Sequence, residues 1–139
     1  MKLMQKAPQK VYVVDNGFLA SSAFQTSENK GRLLENLVFL ELLRRNNKVG
    51  DNIFYYRSRN NRETDFVVRE KFHVKQLIQV CYDMTGKKTE KREIDGIIEC
   101  AGELKCDDLL IITWDQEGIT EKDGKTIRVV PYYKWCLSL

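Results

Sequence analysis

The side chains of this sequence whose types and spacing could do chemistry are Glu35, Glu41, Asp65, Gln79 and Cys81. The two glutamates lie in a leucine-rich stretch that reads as a helix. At 100° per residue Glu35 falls between Leu42 and Phe39, and Glu41 between Leu34 and Leu37, so both rise from apolar surroundings. Burying an unpaired carboxylate costs several kcal/mol or drives its protonation, so each needs a cation, hydrogen-bond donors or a metal ion. Arg32, Arg44 and Arg45 are the cations within reach on the same helix. Asp65 sits in TDFVV, a strand pattern in which aspartate is out of place. With an antiparallel turn centred on Phe72, Asp65 falls opposite Gln79 and Val67 opposite Leu77, with Cys81 diagonally beyond. A slip by two sets Asp65 opposite Cys81 instead. Oxygen ligands from Glu35, Asp65 and Gln79 make a hard-cation site of the kind magnesium accepts.

Other chemistries are excluded. The one histidine, His73, lies in the turn-like stretch 70–73, where it reads as an exposed loop residue, and no imidazole triad can be built without it. Cys81, Cys100, Cys106 and Cys136 have no zinc-ligand spacing and read as reduced thiols. Neither a Gly-x4-Gly-Lys-Ser/Thr loop nor a G-x-G-x-x-G motif occurs, so the chain is no autonomous ATPase or dehydrogenase.

The 139 residues carry a net charge of +3, with 42% hydrophobic and 31% charged residues, as expected of one soluble domain with one core. Neither a bilayer-spanning run nor a signal peptide is evident, so no membrane is involved and cytoplasmic residence is expected. Residues 1–106 hold 19 Lys/Arg against 14 Asp/Glu, and residues 107–139 hold 4 against 6. Arg57, Arg59 and Arg62 stand beside Phe54, Tyr55 and Tyr56, and a second cluster contains Lys91 and Arg92. Cations beside aromatics suit phosphate contact and base stacking, although solvated loops and a helix face explain each cluster equally well.

The elements that must position these residues follow from pattern. Lys10 to Val14 reads as a strand closed by Asp15-Asn16-Gly17, and Ser27 as the cap of a helix from Glu28 to Asn46. Strands are expected at Ile53–Arg57, Thr64–Arg69 and Val74–Tyr82, then an amphipathic helix at Lys88–Leu104. Leu109–Trp114 reads as a central strand buried on both faces. Ile119–Thr120 and Thr126–Val130 flank the turn Lys122-Asp123-Gly124-Lys125, and Pro131 leads into a short tail. The fold class is α/β: a helix, a three-strand antiparallel meander, a helix and a strand around a mixed central sheet, with an added C-terminal β-hairpin.

In order, KVYVVDNG, GRLLENLVFLELLRR, YYR, ETDFVV, LIQVCYD, KREIDGII, LLIITWD and IRVVPYYKW resemble the C-terminal domain of unknown function 4143 of archaeal and bacterial AAA-type ATP-binding proteins. That domain is similar to the restriction-endonuclease-like PD-(D/E)XK nuclease fold. The resemblance implies residues 10–139 as one nuclease-like domain after a linker remnant at 1–9, and an ATPase module as partner. It implies Glu35 as the helix glutamate, Asp65 as the strand aspartate and Gln79 as the third magnesium ligand. The lysine position two beyond Gln79 holds Cys81, and a protonated thiol cannot orient a water or offset phosphate charge. Lys91 or Arg92 is the candidate substitute. The site is therefore expected to be degenerate, with Arg57, Arg59, Arg62, Lys91 and Arg92 facing nucleic acid. An active DNA endonuclease and a protein-interaction module are the rival readings, and a homodimer is compatible with all three.

Overall fold

The continuous apolar run Leu109–Thr113 forms a strand at the centre of a six-stranded mixed sheet, with all five residues buried. The computed structural model describes residues 10–17 and 27–138. Its elements are α1 (Ser27–Arg44), β1 (Ile53–Arg57), β2 (Glu63–Glu70), β3 (His73–Val80), α2 (Lys87–Leu104), β4 (Leu109–Thr113), β5 (Gly118–Lys122), β6 (Lys125–Pro131) and α3 (Tyr132–Leu137). Strand order is β1-β2-β3-β4-β6-β5, with β3, β4 and β6 parallel to one another and the remaining neighbours antiparallel.

Alternation along β4 shows why it is buried twice. Leu109 and Ile111 pack with Ile94, Ile97, Cys100 and Ala101 of α2, whereas Leu110 and Ile112 pack with Val38 and Leu42 of α1 and Trp135 of α3. The sheet is therefore covered on both faces, α1 and α3 on one side and α2 on the other.

The β2–β3 hairpin turns at Lys71-Phe72, with Lys71 at φ 54°. An extra residue in β3, Lys75, then restores the pairing of Val67 with Leu77 and Phe66 with Ile78. His73 is exposed, as expected, but it opens β3 and is not a loop residue. The β5–β6 turn at Asp123-Gly124 has positive φ at both residues, 51° and 73°, the twist that a two-residue hairpin requires. The hairpin is more than an appendage, because β6 is inserted between β4 and β5.

Three expectations are corrected. Residues 10–14 form no strand: the peptide of Val13 is bonded on both sides by the Asn36 side chain, so a carboxamide takes the place of a ladder partner. The first helix ends at Arg44, and Asn46 turns the chain away at φ 64°. The C-terminal tail is the helix α3, started by Pro131 and anchored by buried Trp135, on whose ring the Arg45 guanidinium lies at 4.3 Å. The stretch 1–9 lies outside the described residues.

Ile112→Ala removes a fully buried side chain from the α1 face and should cost about 2–5 kcal/mol. Phe72→Ser, at the exposed hairpin tip, should stay within about 0.5 kcal/mol of wild type. Urea unfolding of both variants measures the contrast.

Candidate functional site

Residues 10–17 lie along α1 as a strap. Asn36, buried among the leucines of α1, accepts the Val13 N–H and donates to the Val13 carbonyl, each at 2.8 Å, and donates to Asn16 Oδ1 at 2.7 Å. Tyr12 stacks on Phe39 with ring centroids 4.1 Å apart, and its hydroxyl donates to Glu35 Oε1 at 2.9 Å. This clamp delivers Lys10, whose ammonium donates to Glu35 Oε1 at 2.8 Å and to Asp65 Oδ1 at 2.6 Å.

Asp65 reaches that ammonium because β2 carries an extra residue. Phe54 faces Val67 and Tyr56 faces Thr64, so Asp65 and Phe66 together oppose Tyr55. Strict alternation would group Asp65 with Val67, which packs under α2. The bulge instead turns Asp65 to the α1 side with Phe66, whose ring lies against Tyr12 and Phe39. The β2–β3 pairing ends at Phe66 opposite Ile78, and beyond it side chains do the bonding. Asp65 Oδ2 accepts the Val80 N–H at 2.8 Å, and the Asp65 N–H donates to Gln79 Oε1 at 3.2 Å.

Burial and the Glu35 charge push the Asp65 carboxyl up to about 6, against the pull of Lys10 and of the Val80 N–H. Burial disfavours the Lys10 ammonium, but Asp65 and Glu35 outweigh it and hold it above the ordinary lysine value. The Tyr12 hydroxyl is raised by burial first and then by Glu35, and it stays protonated.

Gln79 and Cys81 belong to the opposite face. Gln79 Nε2 donates to Glu93 Oε2 of α2 at 2.8 Å, and the Arg92 guanidinium holds the other oxygen of Glu93. Cys81 is buried among Met84 and Ile94, and its Sγ donates to the Asp83 carbonyl at 3.4 Å. Burial, followed by Glu93, pushes its thiol up to about 11. Glu35 and Asp65 thus converge, while the Gln79 side chain touches Asp65 only through the backbone. Among the described residues no three His, Cys, Asp or Glu side chains are grouped to hold a metal ion. As arranged, the expected ligands do not fit one: an ammonium joins the two carboxylates, and the carboxamide is bonded at both ends.

The partner of Glu35 is Lys10, and that of Glu41 is the pair Arg44 and Arg45; Arg32 bonds to Glu28 instead. Arg92 is engaged by Glu93 and Lys91 lies near Asp95, so the cation brought to Asp65 comes from upstream and not from α2. The other basic candidates also have acidic neighbours: Arg57 pairs with Glu63, Arg59 lies beside Glu103, and Arg62 near Asp95. A cleft of about 540 Å³ includes Lys10 and Asp65 in its lining, with Tyr12, Phe39, Phe54, Tyr55 and Phe66 as aromatic walls.

Sequence reasoning missed Lys10, Tyr12, Asn36 and Glu93. Glu93 had a signal, since it lies four residues before Ile97 on the apolar stripe of α2. Asn36 is likewise a polar residue in a leucine-rich helix. Lys10 and Tyr12 had none, because their partners lie 23 to 55 residues away.

Residues 30–135 match the family described as Domain of unknown function (DUF4143). The chain belongs to that family. Glu35, Asp65, Gln79, Cys81 and Glu93 of this DUF4143 domain fall inside the matched span, and Lys10 and Tyr12 fall before it. An uncharacterized protein of Methanocaldococcus jannaschii is 43% identical over 93% of the chain and 29% of its own length. An uncharacterized protein of Haemophilus influenzae is 32% identical over 66% of the chain and 27% of its own length. The chain thus spans less than a third of either relative. In a solved assembly of Thermococcus gammatolerans McrB AAA+ hexamers with bound McrC, one chain overlaps 71% of this chain, and 27% of itself, at a TM-score of 0.43 and 10% identity. That likeness is too distant to carry an argument.

Two measurements check these environments. Hydrogen bonds from Arg44 outweigh burial, and with Arg45 they hold the Glu41 carboxyl below the ordinary glutamate value. The stability it contributes is present above the unfolded carboxylate range of about 4.3 and is lost as pH falls through the folded value. Glu41→Gln should therefore lower the urea midpoint at pH 7 and flatten its decline on acidification. Cys81, buried and raised to about 11, should react with iodoacetamide at pH 8 much more slowly in the native than in the urea-unfolded chain, as read by mass spectrometry.

Proposed function

We propose that this chain is a nuclease-like domain of restriction-endonuclease type from the C-terminal part of an AAA-type ATPase. It associates with nucleic acid, and its magnesium site is degenerate and without hydrolytic activity. The observation that carries this reading is the separation of Cys81 from the acidic pair. The position where the resembling fold has a lysine is a buried, protonated thiol on the α2 side, whereas Glu35 and Asp65 meet on the α1 side. Strand β3 therefore offers no ammonium to a water or a phosphate near Asp65. The order α1, three antiparallel strands, α2 and a parallel β4 supports the fold assignment. The ATPase module is inferred from the family resemblance, and the much greater length of the relatives leaves room for one.

A second reading, a protein-interaction module, is favoured by the carboxylate beside each of Arg57, Arg59, Arg62, Lys91 and Arg92. An exposed pair such as Arg57–Glu63 is worth under about 1 kcal/mol and exchanges readily for a phosphate, so it does not by itself prevent nucleic-acid contact, whereas Arg92 is held by the buried Glu93.

Fluorescence anisotropy with linear and branched DNA, together with a cleavage assay in magnesium or manganese, decides among the readings. Binding that weakens as salt rises, without cleavage, is expected. Cleavage lost in Asp65→Ala would make the domain an active endonuclease. No binding at low salt would leave the interaction module.

A further inference from the structure

We propose that Lys10 is the resident cation of the Glu35–Asp65 pair, a tethered ammonium that closes the acidic site to divalent metal while the strap is seated. The inference rests on reading that pair as the acidic site of a nuclease-like domain, and it concerns how that site is occupied.

The geometry is that of a shared counter-ion. One nitrogen lies 2.8 Å from Glu35 Oε1 and 2.6 Å from Asp65 Oδ1, charge-assisted distances that place it between a helix carboxylate and a strand carboxylate. Three of the four carboxylate oxygens of the pair already accept a hydrogen bond. Tyr12 donates to the same Glu35 oxygen, and the Val80 N–H holds the second oxygen of Asp65. Magnesium requires about six oxygens at ~2.0–2.1 Å in an octahedron, so it could enter only by expelling the ammonium.

The ammonium is also hard to expel, because it belongs to the chain. The Asn36 clamp on Val13 and the Tyr12–Phe39 stack hold the strap beside α1, so Lys10 faces its carboxylates at an effective concentration on the order of millimolar or higher. Its Nζ also lies 5.0 Å from the centre of the Tyr55 ring, a third electron-rich surface around the same charge. Only about a quarter of the Lys10 side chain is exposed, so water screens these contacts weakly. The exclusion is reciprocal: whatever binds the two carboxylates as a cation must loosen the strap, and whatever lifts the strap must open the pair.

The test is manganese binding to the 139-residue chain, followed by calorimetry and by the electron paramagnetic resonance of free manganese. Wild type should show no saturable site at submillimolar metal. Lys10→Met should gain one site per chain, at least about tenfold tighter than any wild-type binding, and Lys10→Met/Asp65→Asn should lose it. Lys10→Arg, which keeps the charge, should stay closed. Lys10→Met leaves two carboxylates without their cation and can fail to fold, so thermal unfolding is followed as well. Manganese should raise the Tm of Lys10→Met and leave that of wild type unchanged. A wild-type site as tight as that of Lys10→Met would overturn the proposal, and so would a Lys10→Met variant that gains neither binding nor thermal stabilisation. No readout involves DNA, so this inference and the nucleic-acid reading fail on separate results.

Discussion

A carboxylate taken out of water must be given a counter-charge, and Asp65 is the point in this molecule where that requirement is most severe. It lies in the second strand of a sheet, beside Phe66 and under a leucine-rich helix that brings a second carboxylate, Glu35, to the same place. Two like charges so close cannot both be kept ionised without a cation between them. The bulge that turns Asp65 toward α1, the Tyr12 hydroxyl on Glu35, the Val80 N–H on Asp65 and the Asn36 grip on the strap all serve to meet that one electrostatic need.

The two faces of the sheet solve their polar problems differently. On the α1 side the solution is ionic, an ammonium between two acids. On the α2 side it is a relay of hydrogen bonds in which Gln79 joins the Asp65 peptide to Glu93, and Arg92 closes the chain at the surface. Asp65 belongs to both, through its carboxylate on one side and its N–H on the other. The bulge is the hinge of this arrangement: without the extra residue, alternation would turn the carboxylate toward α2 and away from Lys10.

Much of the architecture was legible because it rests on local patterns. The apolar run 109–113, the Asp123-Gly124 turn, the stripe of α2 and the pairing of Val67 with Leu77 each follow from periodicity or turn chemistry that a few neighbouring residues express. Asp65 and Glu35 drew attention for a physical reason, being acids where acids are costly. What escaped was everything set by long-range contact. KVYVV has strand-forming residues, yet Asn36 claims its backbone, and no local rule says that a carboxamide 23 residues away will outcompete a ladder. The face taken by Asp65 was misjudged because one extra residue in a strand reverses the alternation beyond it, and TDFVV carries no glycine or other mark of a bulge. The cation was sought on α1, beside Glu35, and on α2, the helix that follows the third strand, and Lys10 lies on neither.

The long reach of the Lys10 contacts bears on the order in which the structure assembles. The β2–β3 hairpin closes across two residues, and α1 and α2 propagate from local bonds, so these units form before distant parts of the chain meet. The strap has no ladder of its own; its bonds to Glu35 and Asn36 need only α1, whereas the bond from Lys10 to Asp65 exists only once that helix has docked on the sheet. Counter-charge therefore reaches Asp65 late, and until docking that carboxylate must be carried without it. In that interval Asp65 is tolerable only while it is still hydrated or protonated, so water or a proton must hold the place that Lys10 later takes.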